Sequence, residues 1–306
     1  MTVPSQHDPQ TPADSRGDLS ITALYTAQTW RWAKLPHAEL FETPAGRAVF
    51  WITNMGLVIA KLFMWSLRSL KHSLLHRHTM IDHLVRQQKP DMVLELAAGL
   101  SRRGSTFSAD SSLRYVEVDR PHVVEHKRRL LNRSARGQAV LARENWSLVG
   151  RDIQELALGE LTIDAFRPLV IAEGLFMYLN ADEQRTLWGR VAAALAGREN
   201  SLFVFDLVPT CEQPKPGPVG RLLEWIMKRF TGGRSFERDE RTREDIRTEL
   251  HEAGFASVRL IEPHDIAVPW DLPFPNKQTQ QLLFVCRGNG VSISPQTVEQ
   301  SPESTR

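Results

Sequence analysis

The sequence predicts a doubly wound, Rossmann-like α/β fold: a seven-stranded, mostly parallel sheet with its last strand antiparallel, plus a helical lid. Three observations predict it. From Met92 onward, short apolar runs alternate with longer amphipathic segments, the pattern of parallel strands covered on both faces. The first run, Met92-Val93-Leu94, leads through Glu95 into a small-residue turn, Ala97-Ala98-Gly99, where small side chains let backbone amides approach a ligand. Five of the runs finish in or near an acid: Glu95, Asp119, Asp152, Glu173 and Asp206.

The chain has 306 residues, which suits one α/β domain of about 200 residues with an added lid. Apolar content of 42% and charged content of 24% are those of a soluble globular protein. A net charge of +2 points to no nucleic acid or strongly acidic partner. Cys211 and Cys286 show no metal-binding spacing, so no metal site is expected and the reducing cytoplasm is the expected compartment.

Taken in order, residues 1–19 are rich in Pro, Ser, Asp and Gln and are expected to form a disordered arm, as are the polar residues 291–306 at the other end. Residues 20–88 are expected to be a helical lid, aromatic between Ser20 and Phe50. Its apolar run Ala48 to Trp65 is interrupted by Lys61 and contains Asn54 and Gly56. That falls short of the ~20 apolar residues of a membrane span, so a buried or lid helix is expected, with an interfacial membrane helix as the alternative. The basic cluster Arg68, Lys71, His72, His76, Arg77 and His78 reads as a solvated helix face or an anion site.

A helix over His76 to Gln88 should end at Lys89-Pro90. The α/β domain then covers residues 89–290. Its later strands are expected at Leu113–Asp119, Trp146–Val149, Pro168–Gly174, Leu202–Asp206, Val258–Ile261 and Gln281–Cys286. Helices are expected at Val123–Asn132 behind Pro121, at Asp182–Ala196 capped by Asn180 or Asp182, and at Thr242–Ala253, opened by Thr242 with Asp245 and stopped by Gly254. Residues 209–241 read as a lid insertion, a proline-rich connector followed by an amphipathic helix over Val219–Phe230.

In an open α/β sheet the ligand sits beyond the carboxyl ends of the strands. A carboxylate after the second strand can accept both hydroxyl protons of a ribose diol. Asp119 stands 24 positions after Glu95 (119 − 95), near the ~20 expected for that role. Asp152, after the third strand, is placed to accept from an adenine amino group.

Three further stretches carry a resemblance: Glu-Leu-Ala-Ala-Gly-Leu at 95–100, Tyr-Val-Glu-Val-Asp-Arg-Pro at 115–121 with Lys127 downstream, and Ala-Glu-Gly-Leu-Phe-Met-Tyr-Leu at 172–179. Together with Thr22-Ala23 and Arg77…Ile81-Asp82, they resemble the leucine carboxyl methyltransferase family, a branch of the class I S-adenosylmethionine-dependent methyltransferases that includes bacterial polyketide-type O-methyltransferases. The resemblance implies S-adenosylmethionine as cofactor. It implies that Arg77 pairs with the cofactor's methionine carboxylate and that Ala97 and Gly99 stand for the two glycines of the first turn. Asp119 would be the ribose acid, Asp152 and Ile153 the adenine pair, and Glu173 the acid near the methionyl amino group. The family's turn reads Gly-x-Gly-x-Asp-Thr-Arg, whereas this chain has Ala97-x-Gly99-x-Ser101-Arg102-Arg103. Thr26-Ala27 also offers no basic residue where the protein-modifying branch has one.

The expected activity is O-methyl transfer to a hydroxyl or carboxylate of a small molecule of secondary metabolism; a hydroxyl acceptor needs a base, for which Asp206, Tyr178, His264 and Asp265 are candidates. The alternatives are carboxyl methylation of a peptide C-terminus, served by a basic pocket from Arg31 or Arg234, and a catalytically silent cofactor-binding scaffold. No Gly-x-Ser-x-Gly elbow is present, which argues against a hydrolase.

Overall fold

The computed structural model describes residues 21–63, 69–162, 164–212 and 240–290. The expected arm, the expected tail, the Val219–Phe230 helix and most of the 209–241 insertion lie outside the described residues.

Seven strands form one sheet in the order β3-β2-β1-β4-β5-β7-β6. They are β1 Met92–Leu96, β2 Arg114–Asp119, β3 Trp146–Gly150, β4 Pro168–Ala172, β5 Leu202–Asp206, β6 Ser257–Ile261 and β7 Leu283–Arg287. The pairs β1–β2, β1–β4, β2–β3 and β4–β5 are parallel. Strand β7 enters antiparallel between β5 and β6, as the sequence led us to expect. The order reverses direction at β1 and β4, so their carboxyl ends open the crevice where a ligand can enter.

Side chains alternate across the strands and build two cores. Leu94, Val116, Val170, Phe203 and Phe205 face one side; Val93, Tyr115, Leu169, Ile171 and Val204 face the other. Helix α8, Ala181–Leu195, covers the first side through Trp188, whose ring lies 5.8 Å from that of Phe205. Asn180 caps α8, accepting from the backbone of Asp182 and Glu183, and Glu183 reaches back to complete a capping box. The helix Arg243–Glu252 begins with the Thr242–Asp245 box that the sequence suggested.

Among the described residues, the N-terminal segment, expected to be helical, forms three α-helices and the short 3-10 helix Ala38–Phe41. Helix α1, Ile21–Trp32, ends where Lys34 and His37 take left-handed backbone angles (φ 56° and 64°). Helix α2 is Pro44–Phe63 and α3 is Leu70–Gln88. Helix α3 starts six residues before the expected His76 (76 − 70). It ends as predicted at Lys89, in the left-handed conformation before Pro90.

Two expectations about this segment need correction. The apolar run from Ala48, expected to be a buried or lid helix, is buried on one face only: Phe50 is 1% exposed, but Trp51, Ile52, Met55 and Val58 are 64, 65, 62 and 62% exposed. The basic cluster is not a solvated face within the described residues: His72, His76, Arg77 and His78 are all buried. Both differences arise because α1 and the strand-end loops pack on one side of these helices, a choice of face that periodicity alone does not reveal. No described helix is long and apolar enough to cross a membrane.

Candidate functional site

The turn after β1 supplies the first wall of the crevice. Ala97 and Gly99 both hold left-handed angles (φ 51° and 52°). A side chain at Gly99 would meet only Ala23, at 3.9 Å, so the backbone angle, not crowding, asks for glycine there. Ala97 adopts the same region at a cost of about 1 kcal/mol, and its methyl packs against the sheet core.

Asp119 ends β2 beside this turn. Its Oδ2 accepts the Gly99 amide at 2.7 Å and its Oδ1 the Arg120 amide at 2.7 Å. A carboxylate has about four acceptor positions, so two remain, one on each oxygen, which is the acceptor set a vicinal diol calls for. Burial raises the Asp119 carboxyl above its ordinary value, opposed by these two amides.

Past the crevice, β4 ends and Glu173 follows. Its Oε1 accepts from Arg77 Nε at 2.9 Å, and its Oε2 from Arg103 Nη2 at 2.6 Å and His78 Nδ1 at 2.9 Å. Arg77 also donates through Nη1 to Asp206 Oδ2 at 2.8 Å, while Asp206 Oδ1 accepts the Gly174 amide at 2.6 Å. The Arg77 guanidinium lies against Gly174, whose φ is 68° and whose Cβ, if present, would stand 3.1 Å from Nη2. Arg77, Glu173 and Asp206, which the sequence separates by 96 and 33 positions (173 − 77, 206 − 173), therefore meet at one point.

Glu95 is placed differently from expectation. Strand β1 runs on to Leu96, so Glu95 lies inside the strand, 1% exposed, instead of at its open end. Its Oε1 accepts from Arg103 Nη1 at 2.8 Å and its Oε2 from the Tyr115 hydroxyl at 2.7 Å. Those two donors make an ionised carboxylate tolerable there.

Arg103 is the residue that sequence reasoning passed over. It is fully buried and also donates through Nε to Asp82 Oδ1 at 2.9 Å and through Nη2 to the His78 carbonyl at 3.1 Å. Arg102 reaches the other oxygen of Asp82. The available signal was the match of Arg103 to the terminal arginine of the family's turn. Lys127, on helix α5 (Pro121–Leu131), is likewise buried: it pairs with Glu117 and donates to the Ser101 carbonyl at 2.6 Å, tying the end of the turn to the sheet.

Asp152, Ile153 and Tyr178 lie on the segments that follow β3 and β4. Asp152 is exposed, its Oδ1 accepting the Gln154 amide at 2.9 Å. Ile153 is half-buried against the sheet core, and its carbonyl accepts from Arg190 at 2.9 Å. Tyr178 is half-buried in the short helix Phe176–Tyr178, its hydroxyl 3.4 Å from Thr22 Oγ1 of α1. Burial pushes Asp206 above its usual value, Arg77 opposing and Glu173 adding to the rise.

Residues 23–192 match the model of the leucine carboxyl methyltransferase family. The chain belongs to the leucine carboxyl methyltransferase family. Its matched region holds the turn, Asp119, Asp152 and Glu173, and excludes Asp206. Proteins of Mycobacterium tuberculosis and Mycobacterium bovis, named as proposed S-adenosyl-L-methionine-dependent methyltransferases, are 36% identical over 118 residues. That match spans 38% of this chain and 38% of each relative.

Among solved structures, a proposed O-methyltransferase from Nostoc punctiforme is similar over 70% of this chain and 56% of its own, at 17% identity and a TM-score of 0.49. Human N-acetylserotonin methyltransferase in complex with S-adenosylmethionine is similar over 88% of this chain and 66% of its own, at 13% identity and a TM-score of 0.46.

The charge cluster of this leucine carboxyl methyltransferase family member makes its stability pH-dependent. Burial alone would raise Glu173, but Arg103, His78 and Arg77 hold its carboxyl well below the ordinary value. The stability this contributes is present above about pH 4.3, the unfolded value, and is lost as pH falls toward the folded one. Burial, then the charge of Arg103, lowers His78 well below its usual range. The unfolded chain therefore takes up a proton at His78 below about pH 6.5 that the folded chain refuses. Thermal unfolding followed at constant ionic strength should show the midpoint falling between pH 7 and 5, and faster below about pH 4.5. A flat profile over that range contradicts the assignment.

Proposed function

We propose that this chain is an S-adenosylmethionine-dependent O-methyltransferase that transfers a methyl group to an oxygen, hydroxyl or carboxylate, of a small molecule of secondary metabolism. The observation that carries the reading is the pairing of the Ala97–Gly99 turn with Asp119, whose two open acceptor positions match a ribose diol. Asp152 and Ile153, which follow β3, are the residues to hold adenine. The zwitterionic methionyl end is complementary to Arg77 and Glu173, one for its carboxylate and one for its ammonium.

The chemistry the cofactor supplies is an electrophilic methyl on a sulfonium. The chain's own part is to orient the acceptor and exclude water, which can contribute up to ~7–11 kcal/mol. Between the two acceptor types, the geometry favours a carboxylate. Asp206 is held by Arg77 and the Gly174 amide, a poor arrangement for a general base, and a carboxylate is already ionised and needs none. Tyr178 would then position the acceptor through its hydroxyl.

The peptide C-terminus reading lacks such support. Arg31 donates to Glu42 at 3.1 Å, and Arg234 lies outside the described residues. The thiol of Cys286 is buried and that of Cys211 exposed, neither in a disulfide, which suits a reducing compartment such as the cytoplasm.

The test is production of S-adenosylhomocysteine on a panel of small aromatic and aliphatic carboxylic acids and phenols. Turnover on acids with little on phenols is the expected result. Turnover on C-terminal peptides alone would overturn the small-molecule reading. Cofactor binding with no turnover on any acceptor would point to a silent scaffold.

A further inference from the structure

Helix α2 presents an apolar stripe that no described part of the chain covers. Trp51, Ile52, Met55 and Val58 occupy positions i, i+1, i+4 and i+7, which fall on one side of a helix, and each is more than 60% exposed. The opposite side is fixed to α1. Tyr25 packs on Phe50 with ring centroids 5.4 Å apart, and Asn54 donates to the Tyr25 hydroxyl at 3.1 Å. At Gly46 the two helices approach so closely that a Cβ would stand 3.2 Å from the Leu24 carbonyl. The stripe is therefore held outward by the packing on its other side.

Past Glu42, the charges in this part of the sequence have one sign. No Asp or Glu occurs between Glu42 and Asp82, while Arg47, Lys61, Arg68 and Lys71 fall in that interval. Arg47 begins the exposed face, its side chain 58% exposed and 3.7 Å from Glu42. An apolar stripe in a stretch of sequence whose charges past Glu42 are all cationic is complementary to a negatively charged lipid surface, which offers both acyl chains and anionic headgroups. It is poorly matched to a second copy of itself, which would bring like charges together. A spanning role is ruled out by the inner face, where Asn54 and Tyr25 are committed to α1.

We propose that α2 docks this protein on the surface of an anionic membrane, lying in the interface with Trp51, Ile52, Met55 and Val58 inserted and Arg47 at the headgroups. This surface is separate from the Asp119 crevice, and its test does not depend on methyl transfer.

The experiment is flotation of the full chain with vesicles of phosphatidylcholine alone or phosphatidylcholine mixed with phosphatidylglycerol, at low and high salt, alongside sedimentation without lipid. Binding to the mixed vesicles should exceed binding to the neutral ones by about tenfold or more and should weaken with salt. The double variant Trp51→Ser, Met55→Ser should lose about tenfold or more on the mixed vesicles while keeping the parent's thermal midpoint, because both side chains already face solvent. Arg47→Gln should reduce binding to the mixed vesicles only. Equal binding to both vesicle types, no flotation, unchanged flotation of the serine variant, or self-association through Trp51 without flotation would each overturn the proposal.

Discussion

Replacing Asp119 with alanine is expected to weaken S-adenosylmethionine binding by roughly a hundredfold or more. A carboxylate meeting a diol makes two charge-assisted hydrogen bonds, each contributing about 1.5–3 kcal/mol. The same substitution releases the Gly99 amide, which Asp119 holds at 2.7 Å, so the left-handed turn loses its anchor as well. Asp119→Asn separates the two effects. An amide oxygen can still accept from Gly99, but only one side-chain acceptor remains where the diol needs two. Asparagine should therefore recover part of the thermal midpoint, the Arg120 amide having lost its acceptor, and not the affinity. Calorimetric titration with S-adenosylmethionine and with S-adenosylhomocysteine measures both. Unchanged affinity in Asp119→Ala would remove the cofactor assignment, because no other described acid combines a strand-end position with a bond to the turn.

Arg103→Met is expected to lower stability by about 3–5 kcal/mol, the cost of breaking a buried ion pair from one side. Arg103 faces Asp82, Glu95 and Glu173 at 2.9, 2.8 and 2.6 Å, and its removal leaves three buried carboxylates short of a donor. For a domain of this size that loss corresponds to a fall of roughly 10 °C in Tm. Arg103→Lys should recover little, since one ammonium cannot reproduce a planar fork that reaches three carboxylates and a carbonyl. The loss should also shrink at acid pH, where the carboxylates released by the substitution can be protonated. Differential scanning calorimetry of both variants at pH 7 and pH 5 is the measurement. A parent-like Tm for Arg103→Met would mean that the cluster contributes nothing to folding.

Much of the fold was legible because its signals are local. The apolar strand runs, the proline and lysine that end α3, the Asn180 and Thr242 caps and the acids after β2, β3, β4 and β5 each depend on a few neighbouring residues. The seven-strand sheet with an antiparallel β7 followed from them and from the family resemblance. The arginine–carboxylate cluster was not legible in the same way. Arg77, Asp82, Glu95, Arg103, Glu173 and Asp206 come from α3, β1, α4 (Arg103–Phe107) and the ends of β4 and β5. Read singly, Glu95 was a strand-end acid, Arg103 only the last residue of the turn motif, and the histidines around Arg77 a solvated face or an anion site. Each was reassigned by partners eight or more positions away in the chain, as the pairings of Arg103 with Glu95, Asp82 and Glu173 illustrate.

By itself, then, the sequence determined the strand and helix order, the small-residue turn and the presence of Asp119 beside it, because hydrophobic period, backbone angle preference and capping act over a few residues. Only the tertiary structure decided which charges neutralise one another and which side of α2 faces outward. A charged group's state depends on whatever is packed within a few ångströms of it, and a helix's free face is whatever its neighbours leave uncovered.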